Sequence, residues 1–266
     1  MADGAAADLV EWLAAQPTSA GLFLDFDGTL TPIINDPTAS AMPADVAEAL
    51  AALAPRLGAL AIVSGRPARF LAERAAIPGA RLLGLYGLEE WIDGSARPRP
   101  EAAHWQSAVD EAKSLLRTAA GEIPGVRLED KGLAVALHWR GAADEVQAGR
   151  AAAQAVRAVA ERTGLAREPG KLVEELRPPV DWDKGASVLA LSSELDLERV
   201  CYVGDDLGDL AAFAAVRRLG GRAVAVEHSE ETPADLLAAA DAVLDGPEGV
   251  AALLSALRDR LAAHRS

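Results

Sequence analysis

The sequence predicts an α/β protein: a doubly wound, mainly parallel sheet interrupted by an inserted αββαββ unit. Three observations lead there. Short continuous apolar runs, Leu22-Phe23-Leu24, Leu60 to Val63 and Val200 to Val203, alternate with helical spacing, as strands covered on both faces require. Two proline-rich stretches, Arg97-Pro98-Arg99-Pro100 and Arg177-Pro178-Pro179, bound a middle segment. Inside that segment the pattern changes to paired runs with turn signals between them.

Residues 6–16 read as a short helix and Gly21 to Phe26 as the first buried strand. Pro43 to Leu57 carries Val46, Leu50 and Leu53 at helical spacing, and Leu60 to Val63 follows as a strand ending in Ser64-Gly65-Arg66-Pro67. A helix over 68–75 and a third strand from Arg81 to Tyr86 continue the alternation. In the middle, a helix to about Ala119 precedes strands Val126 to Asp130 and Leu133 to Trp139, joined at Lys131-Gly132 as a hairpin. An Ala-rich helix from about Ala143 to Arg162 leads to strands Ala166 to Glu168 and Leu172 to Leu176, separated by Pro169-Gly170. Helix and buried strand then alternate again through Gly185 to Glu194, Val200 to Val203, Leu207 to Val216 and Ala223 to Val226. The expected division is a core of 1–97 with 179–266, and an inserted domain of 98–178.

Composition narrows the function classes. The 266 residues carry a net charge of −14 with no basic stripe, which disfavours a nucleic-acid or anionic-membrane partner. Cys201 is the only cysteine, so an internal disulfide or cysteine metal cluster is excluded and a reducing compartment is expected. The N-terminus lacks a basic region before an apolar core, and no apolar run approaches the roughly 18 residues of a spanning helix. Cytoplasmic residence and a monomer follow as expectations, the latter because no exposed apolar stripe is evident.

The chemistry concentrates in Asp25-Phe26-Asp27-Gly28-Thr29-Leu30-Thr31-Pro32-Ile33. Two carboxylates two residues apart, after a buried strand and before a glycine, suit phosphoryl transfer through an aspartate nucleophile. Asp25 fits the nucleophile, and Asp27 the acid that protonates the leaving alcohol and then deprotonates water. The other strand ends and helix starts add Ser64 and Arg66, Gly204-Asp205-Asp206 with Asp209, and Lys184. Five carboxylates in one crevice would repel a phosphate dianion by several kcal/mol at an effective dielectric of roughly 20. A divalent cation answers this, and hard oxygen ligands select Mg²⁺ on Asp25, the Asp27 carbonyl and Asp205. Lys184 and the Ser64 hydroxyl would hold the phosphoryl oxygens. Taken singly, each feature has a plainer reading as turn chemistry, a capping serine or a surface lysine. Their shared position at the ends of one sheet favours the catalytic one.

These motifs, Asp25-x-Asp27-Gly28-Thr29, Ser64, Lys184 and Gly204-Asp205-Asp206-x-x-Asp209, resemble those of the haloacid dehalogenase superfamily. Over nearly its whole length the chain is similar to the trehalose-6-phosphate phosphatases within it. That similarity extends to Ser64-Gly65-Arg66, Gly84-Leu85-Tyr86-Gly87-x-Glu89, Leu128-Glu129-Asp130-Lys131 with His138-Trp139-Arg140, and Gly170-Lys171-x-x-x-Glu175-Leu176-Arg177-Pro178. The resemblance implies a haloacid dehalogenase-like core with a cap domain. It implies Mg²⁺-dependent hydrolysis of trehalose 6-phosphate, with Asp25, Asp27, Thr29, Ser64 and Lys184 catalytic. It also implies Asp25, Asp27 and Asp205 on the metal, Asp206 and Asp209 behind them, and Arg66, Glu129, Lys131, Arg140 and Glu175 on the substrate. Gly208 and Leu210 depart from the threonine and glutamate usual in the fourth motif. Related phosphatases of sucrose phosphate or mannosyl-phosphoglycerate, a phosphomutase and a non-catalytic module of the same fold are the alternatives.

A cap that covers the core would exclude water and read the leaving group. Polar forks suit an uncharged sugar, because a wrong sugar leaves them unpaired. Glu129, Lys131 and Glu175 also have a plainer reading as solvated strand-edge charges. His138, set in an apolar run, reads as packed or as set behind the binding residues, rather than as a general base. Trp91, Trp105, Trp139 and Trp182 read as packing, with Trp182 beside Lys184 the best candidate to stack on a sugar.

Overall fold

The computed structural model describes residues 2–33, 40–170, 172–228 and 232–263. Lys171, part of the last cap motif, lies outside them. The chain divides into two compact units, Met1–Ala96 with Trp182–Ser266, and Arg97–Asp181. This division falls within three residues of the proline boundaries read from the sequence.

The first unit holds α1 (Ala2–Ala14), β1 (Ala20–Leu24), α2 (Ala44–Leu53), β2 (Ala59–Val63), α3 (Ala68–Arg74), β3 (Arg81–Gly84) and β4 (Glu89–Ile92). Strand β5 (Ser95–Pro98) runs into the boundary. The second unit holds α4 (Pro100–Ala103), α5 (Gln106–Glu122), β6 (Arg127–Asp130), β7 (Val135–His138), α6 (Glu145–Thr163), β8 (Ala166–Gly170) and β9 (Val173–Arg177). The chain then returns through α7 (Lys184–Glu194), β10 (Arg199–Gly204), α8 (Leu210–Arg218), β11 (Arg222–Glu227), α9 (Ala234–Ala239), β12 (Ala242–Asp245) and α10 (Gly246–Ala263).

The large sheet has the order β12-β11-β10-β1-β2-β3-β4-β5, parallel from β12 to β3 and antiparallel at β3–β4. Alternate residues of each central strand feed two cores. Leu22, Leu24, Ile62, Cys201 and Val203 pack with Leu13, Leu50, Leu53 and Leu257 from α1, α2 and α10. Phe23, Ala61, Val63, Tyr202 and Ala225 pack with Val188, Phe213 and Val216 from α7 and α8. Two-sided cover explains why these strands read as continuous apolar runs. Among the described residues, no helix is long and apolar enough to cross a membrane.

The second unit is a four-stranded antiparallel sheet, β6-β7-β9-β8, backed on one face by α5 and α6. Asp144 starts α6 by accepting the Gln147 N–H, and Gly164 ends it in the left-handed conformation (φ 73°).

Several elements differ from the sequence expectation. The third strand stops at Gly84, and Leu85–Gly87 is a 3-10 turn with φ of 49° at Leu85 and 62° at Tyr86. Strands β4 and β5 were not expected, because their Glu-Glu-Trp-Ile and Ser-Ala-Arg-Pro lack apolar alternation. Between them Asp93-Gly94 takes positive φ at both residues, the geometry of a two-residue hairpin turn. Pro169 and Gly170 belong to β8 instead of separating two strands; β8 is an edge strand, where the missing N–H costs no ladder bond. Beyond Val226 the sequence reading placed nothing. There α10 buries Val250, Leu253, Leu254, Leu257 and Leu261, a helical stripe that surrounding alanines blur.

Candidate active site

Strands β1 and β10 lie side by side with Leu24 opposite Val203, so Asp25 and the Gly204 end of β10 emerge at the same edge of the sheet. The Asp25 N–H donates to the Val203 carbonyl at 2.9 Å. Chain progression turns opposite ways on the two sides of β1, toward β2 and toward β10, which opens a crevice at the carboxyl ends of these strands. Lys184 enters that crevice from the first turn of α7, whose start is fixed by Asp183 accepting the Ala186 N–H at 2.7 Å. Its Nζ lies 2.9 Å from Asp25 Oδ2 and 2.6 Å from Asp209 Oδ1, with all three side chains buried.

Asp209 is fully buried and fully used. Oδ1 accepts from Lys184 and from the Tyr202 hydroxyl at 2.7 Å, and Oδ2 accepts the N–H groups of Asp205 at 2.9 Å and Asp206 at 3.1 Å. It ties the β10 exit loop to Lys184. Tyr202 was not anticipated because it sits inside an apolar run, where its ring looks like packing. Asp206 accepts the Gly208 N–H at 2.7 Å and starts the 3-10 turn Leu207–Asp209. A backbone donor does this work, so the departure at Gly208 leaves the turn intact.

One oxygen from each of Asp25, Asp205 and Asp209 lies within 4.8 Å of the others. Burial, reinforced by Asp209 and Asp205 and opposed by Lys184, raises the Asp25 carboxyl well above the ordinary range. Burial, with Asp209 and then Asp206, pushes Asp205 up to about 7. Burial alone would lower Lys184, but the charges of Asp25 and Asp209 hold it above its ordinary value. Three carboxylates against one ammonium leave negative charge to be met. The donors are hard oxygens, so the set fits a divalent cation; with Asp209 saturated, Asp25 and Asp205 are the open carboxylates. Thr29 Oγ1 donates to Asp205 Oδ1 at 3.1 Å, and His228 Nε2, unremarked in the sequence just past β11, lies 3.4 Å from Asp205 Oδ2. Gly28, at φ 78°, presses its backbone onto this carboxylate: a Cβ there would lie 2.1 Å from Asp205 Oδ2.

Asp27 stands apart from this cluster. Arg66 forks it, Nε to Oδ2 at 2.7 Å and Nη2 to Oδ1 at 3.0 Å, and the Ser40 hydroxyl donates to Oδ1 at 3.2 Å. Arg66, expected on substrate, is thus engaged with Asp27. Ser64 is buried, and its Oγ accepts the Arg66 N–H at 3.2 Å. Trp182 donates to Ser187 Oγ at 2.7 Å, and Ser187 donates to the Tyr86 carbonyl at 2.8 Å, pinning the strained Leu85–Gly87 turn to α7.

In the second unit, register puts Glu129 opposite Ala136 and Ala136 opposite Glu175, one row on the sheet face away from the residues that pack under α5 and α6. Lys131 Nζ lies 2.6 Å from Glu175 Oε2 and 3.9 Å from Glu129 Oε2. His138 Nε2 is 2.7 Å from Glu129 Oε2, which makes His138 a fourth member of the group. Arg140 is exposed in the turn after β7 and belongs to none of these contacts. Trp139 packs in the core of this unit.

Residues 23–241 match the family model described as trehalose-phosphatase. The chain is 37% identical over 246 residues to the trehalose-phosphate phosphatase of Mycobacterium marinum and 37% over 249 residues to that of Mycobacterium avium, covering 90% of this chain in both cases. It spans 62% of the length of these relatives. Among solved structures it is similar to the trehalose-6-phosphate phosphatase of Aspergillus fumigatus, at 27% identity and TM-score 0.62 over 96% of this chain and 97% of that one. A haloacid dehalogenase-like hydrolase from Bacteroides thetaiotaomicron, 17% identical over 89% of this chain and 98% of that one with TM-score 0.62, shares the fold. The core is therefore haloacid dehalogenase-like, and the chain belongs to the trehalose-phosphatase family.

Proposed function

We propose that the protein is a Mg²⁺-dependent phosphatase that hydrolyses trehalose 6-phosphate to trehalose and inorganic phosphate. The observation that carries this reading is the buried Asp25–Lys184–Asp209 chain at the ends of β1 and β10, with Asp205 against it. It offers a nucleophile, a cation for phosphoryl oxygens and open oxygen ligands in one crevice. The substrate rests on the names of the relatives.

In this reading an Asp25 oxygen attacks phosphorus as the bond to the sugar oxygen breaks, giving an aspartyl-phosphate, and Asp27 supplies the proton to the leaving alcohol. Water then attacks the same phosphorus, its proton passes to Asp27, and the Asp25 carboxylate leaves. Lys184 and the Ser64 hydroxyl hold the phosphoryl oxygens, and Thr29 orients Asp205. Asp25, the Asp27 carbonyl and Asp205 would hold Mg²⁺, which when bound supplies the positive charge an acidic crevice needs to admit a phosphate dianion. Glu129, Lys131, Arg140 and Glu175 read the sugar, which makes 98–178 the recognition domain and 1–97 with 179–266 the phosphatase core.

The test is phosphate release from trehalose 6-phosphate, sucrose phosphate, mannosyl-phosphoglycerate and an aryl phosphate, with Mg²⁺ or EDTA, for the native chain and Asp25→Asn. Selective release from trehalose 6-phosphate, silent in EDTA and in a folded Asp25→Asn variant, supports the proposal. Preference for another sugar phosphate, a phosphate moved rather than released, or silence on every substrate with Mg²⁺ overturns it.

A further inference from the structure

Asp27 is held from one side by a small assembly that the proposed chemistry does not by itself require. The Arg66 guanidinium that forks Asp27 lies 4.8 Å over the ring of Phe70, on α3. The same ring meets Phe26 edge-on, at 6.0 Å between centroids and 86° between planes. Phe26 is the fully buried residue between Asp25 and Asp27. Phe70 therefore braces both the backbone of the catalytic loop, through Phe26, and the Asp27 carboxylate, through Arg66. A planar guanidinium stacked on a ring has little freedom left, so it fixes the direction of the carboxylate it forks.

The donors say which role that direction serves. Each Asp27 oxygen receives an N–H from Arg66, and Oδ1 also receives the Ser40 hydroxyl. A carboxylate so surrounded is arranged as an acceptor. The Asp27 side chain nevertheless keeps 37% exposure, against 20% for Arg66, so it remains open to an incoming water. We propose that Arg66, braced on Phe70, is a positioning residue for the second displacement: it aims Asp27 to take the proton from the water that attacks the aspartyl-phosphate on Asp25. In that step the water oxygen bonds to phosphorus, the proton passes to a free lone pair of Asp27, and the phosphorus–Asp25 bond breaks. This rests on the proposed phosphatase reading and assigns Arg66 to a different partner from the substrate.

The experiment is rapid-mix kinetics with an aryl phosphate, whose phenolate leaves without a proton, so that only the second displacement needs Asp27. Native enzyme, Arg66→Lys, Phe70→Leu and Asp27→Asn are compared with Mg²⁺, with circular dichroism as the check on folding. The expected result for Arg66→Lys is a burst approaching one equivalent of phenolate per enzyme, then a steady rate about tenfold or more below native, the low end of a general-base contribution. KM should fall with kcat, and phosphorylated Asp25 should accumulate in quenched samples. Phe70→Leu should show the same signature more weakly. A raised KM with kcat retained, or a slower rate with neither burst nor phosphorylated Asp25, overturns the assignment. The other arms test the underlying reading separately: no turnover by native enzyme, or no burst in Asp27→Asn, removes that reading and not merely the role of Arg66.

Discussion

Asp205→Asn should stabilise the metal-free protein while destroying its response to metal. In the fold Asp205 titrates at about 7 against 3.8 for an ordinary aspartate, because burial and the neighbouring Asp209 and Asp206 disfavour its charge. Between those two values the folded state binds a proton that the unfolded state has lost, so stability falls as pH rises through the window. Above pH 7 the full difference of about three pKa units corresponds to about 4 kcal/mol, a ceiling because Asp25 and Asp209 share the same field. Asparagine keeps the shape and the acceptor for the Thr29 hydroxyl, but its amide needs a partner at a cost of about 1 kcal/mol or more. A net gain of about 2 kcal/mol remains, or about 4 to 8 °C in Tm for a chain of this size. The assay is thermal unfolding in EDTA and in excess Mg²⁺ at pH 5.5 and pH 8. In EDTA the variant should melt higher at pH 8, and the gap should close at pH 5.5, where native Asp205 is already protonated. Excess Mg²⁺ at about 100 times its Kd should raise the native protein by about 2.7 kcal/mol and leave the variant unmoved. A variant that melts lower at pH 8 in EDTA, or that gains as much from Mg²⁺ as native, would refute the reasoning.

Two further outcomes follow from the same contacts. Lys184→Met removes the one ammonium between buried Asp25 and Asp209 and should destabilise the fold by about 3 to 5 kcal/mol at pH 8. The loss should shrink at pH 5.5, where raised carboxyls take up protons; denaturant unfolding at both values checks this, and a pH-independent loss contradicts it. Glu175→Gln removes the charge that faces Lys131 at 2.6 Å. It should raise KM for trehalose 6-phosphate about tenfold, the effect of about 1.4 kcal/mol, while kcat/KM for an aryl phosphate stays within about twofold. Equal losses on both substrates would count against recognition by this group.

Asp25, Lys184 and Asp205 were readable because each sits where a continuous apolar run ends or a helix begins, and such junctions put side chains at one edge of a parallel sheet. Tyr202 was not readable. Its hydroxyl matters only because the turn after β10 folds Asp209 back beneath it, and a strand sequence cannot show what returns to it. Arg66 stands on the substrate only as the family resemblance implies, and nothing in its own stretch shows what it meets. The carboxylate it forks, Asp27, is 39 residues away along the chain and adjacent only because β1 and β2 pair in parallel. His138 reads as packed or as set behind a binding residue, and cross-strand register is what hands it Glu129. Strands β4 and β5 are not legible because this end of the sheet buries little and their residues carry no apolar period.

By itself, then, the sequence determined the alternation of buried strands and helices, the insertion between two proline boundaries and the residue types that phosphoryl transfer needs. Those properties are local: periodicity, turn chemistry and motif spacing are written along the chain. Tertiary structure alone decided which oxygens of the acidic cluster stay open, that Asp209 is consumed by four donors, and that Asp27 is clamped by Arg66, itself braced by Phe70 of α3. Hydrogen-bond saturation and buried charge depend on what distant segments bring together, so they exist only once the sheet has set β1 beside β10 and β2.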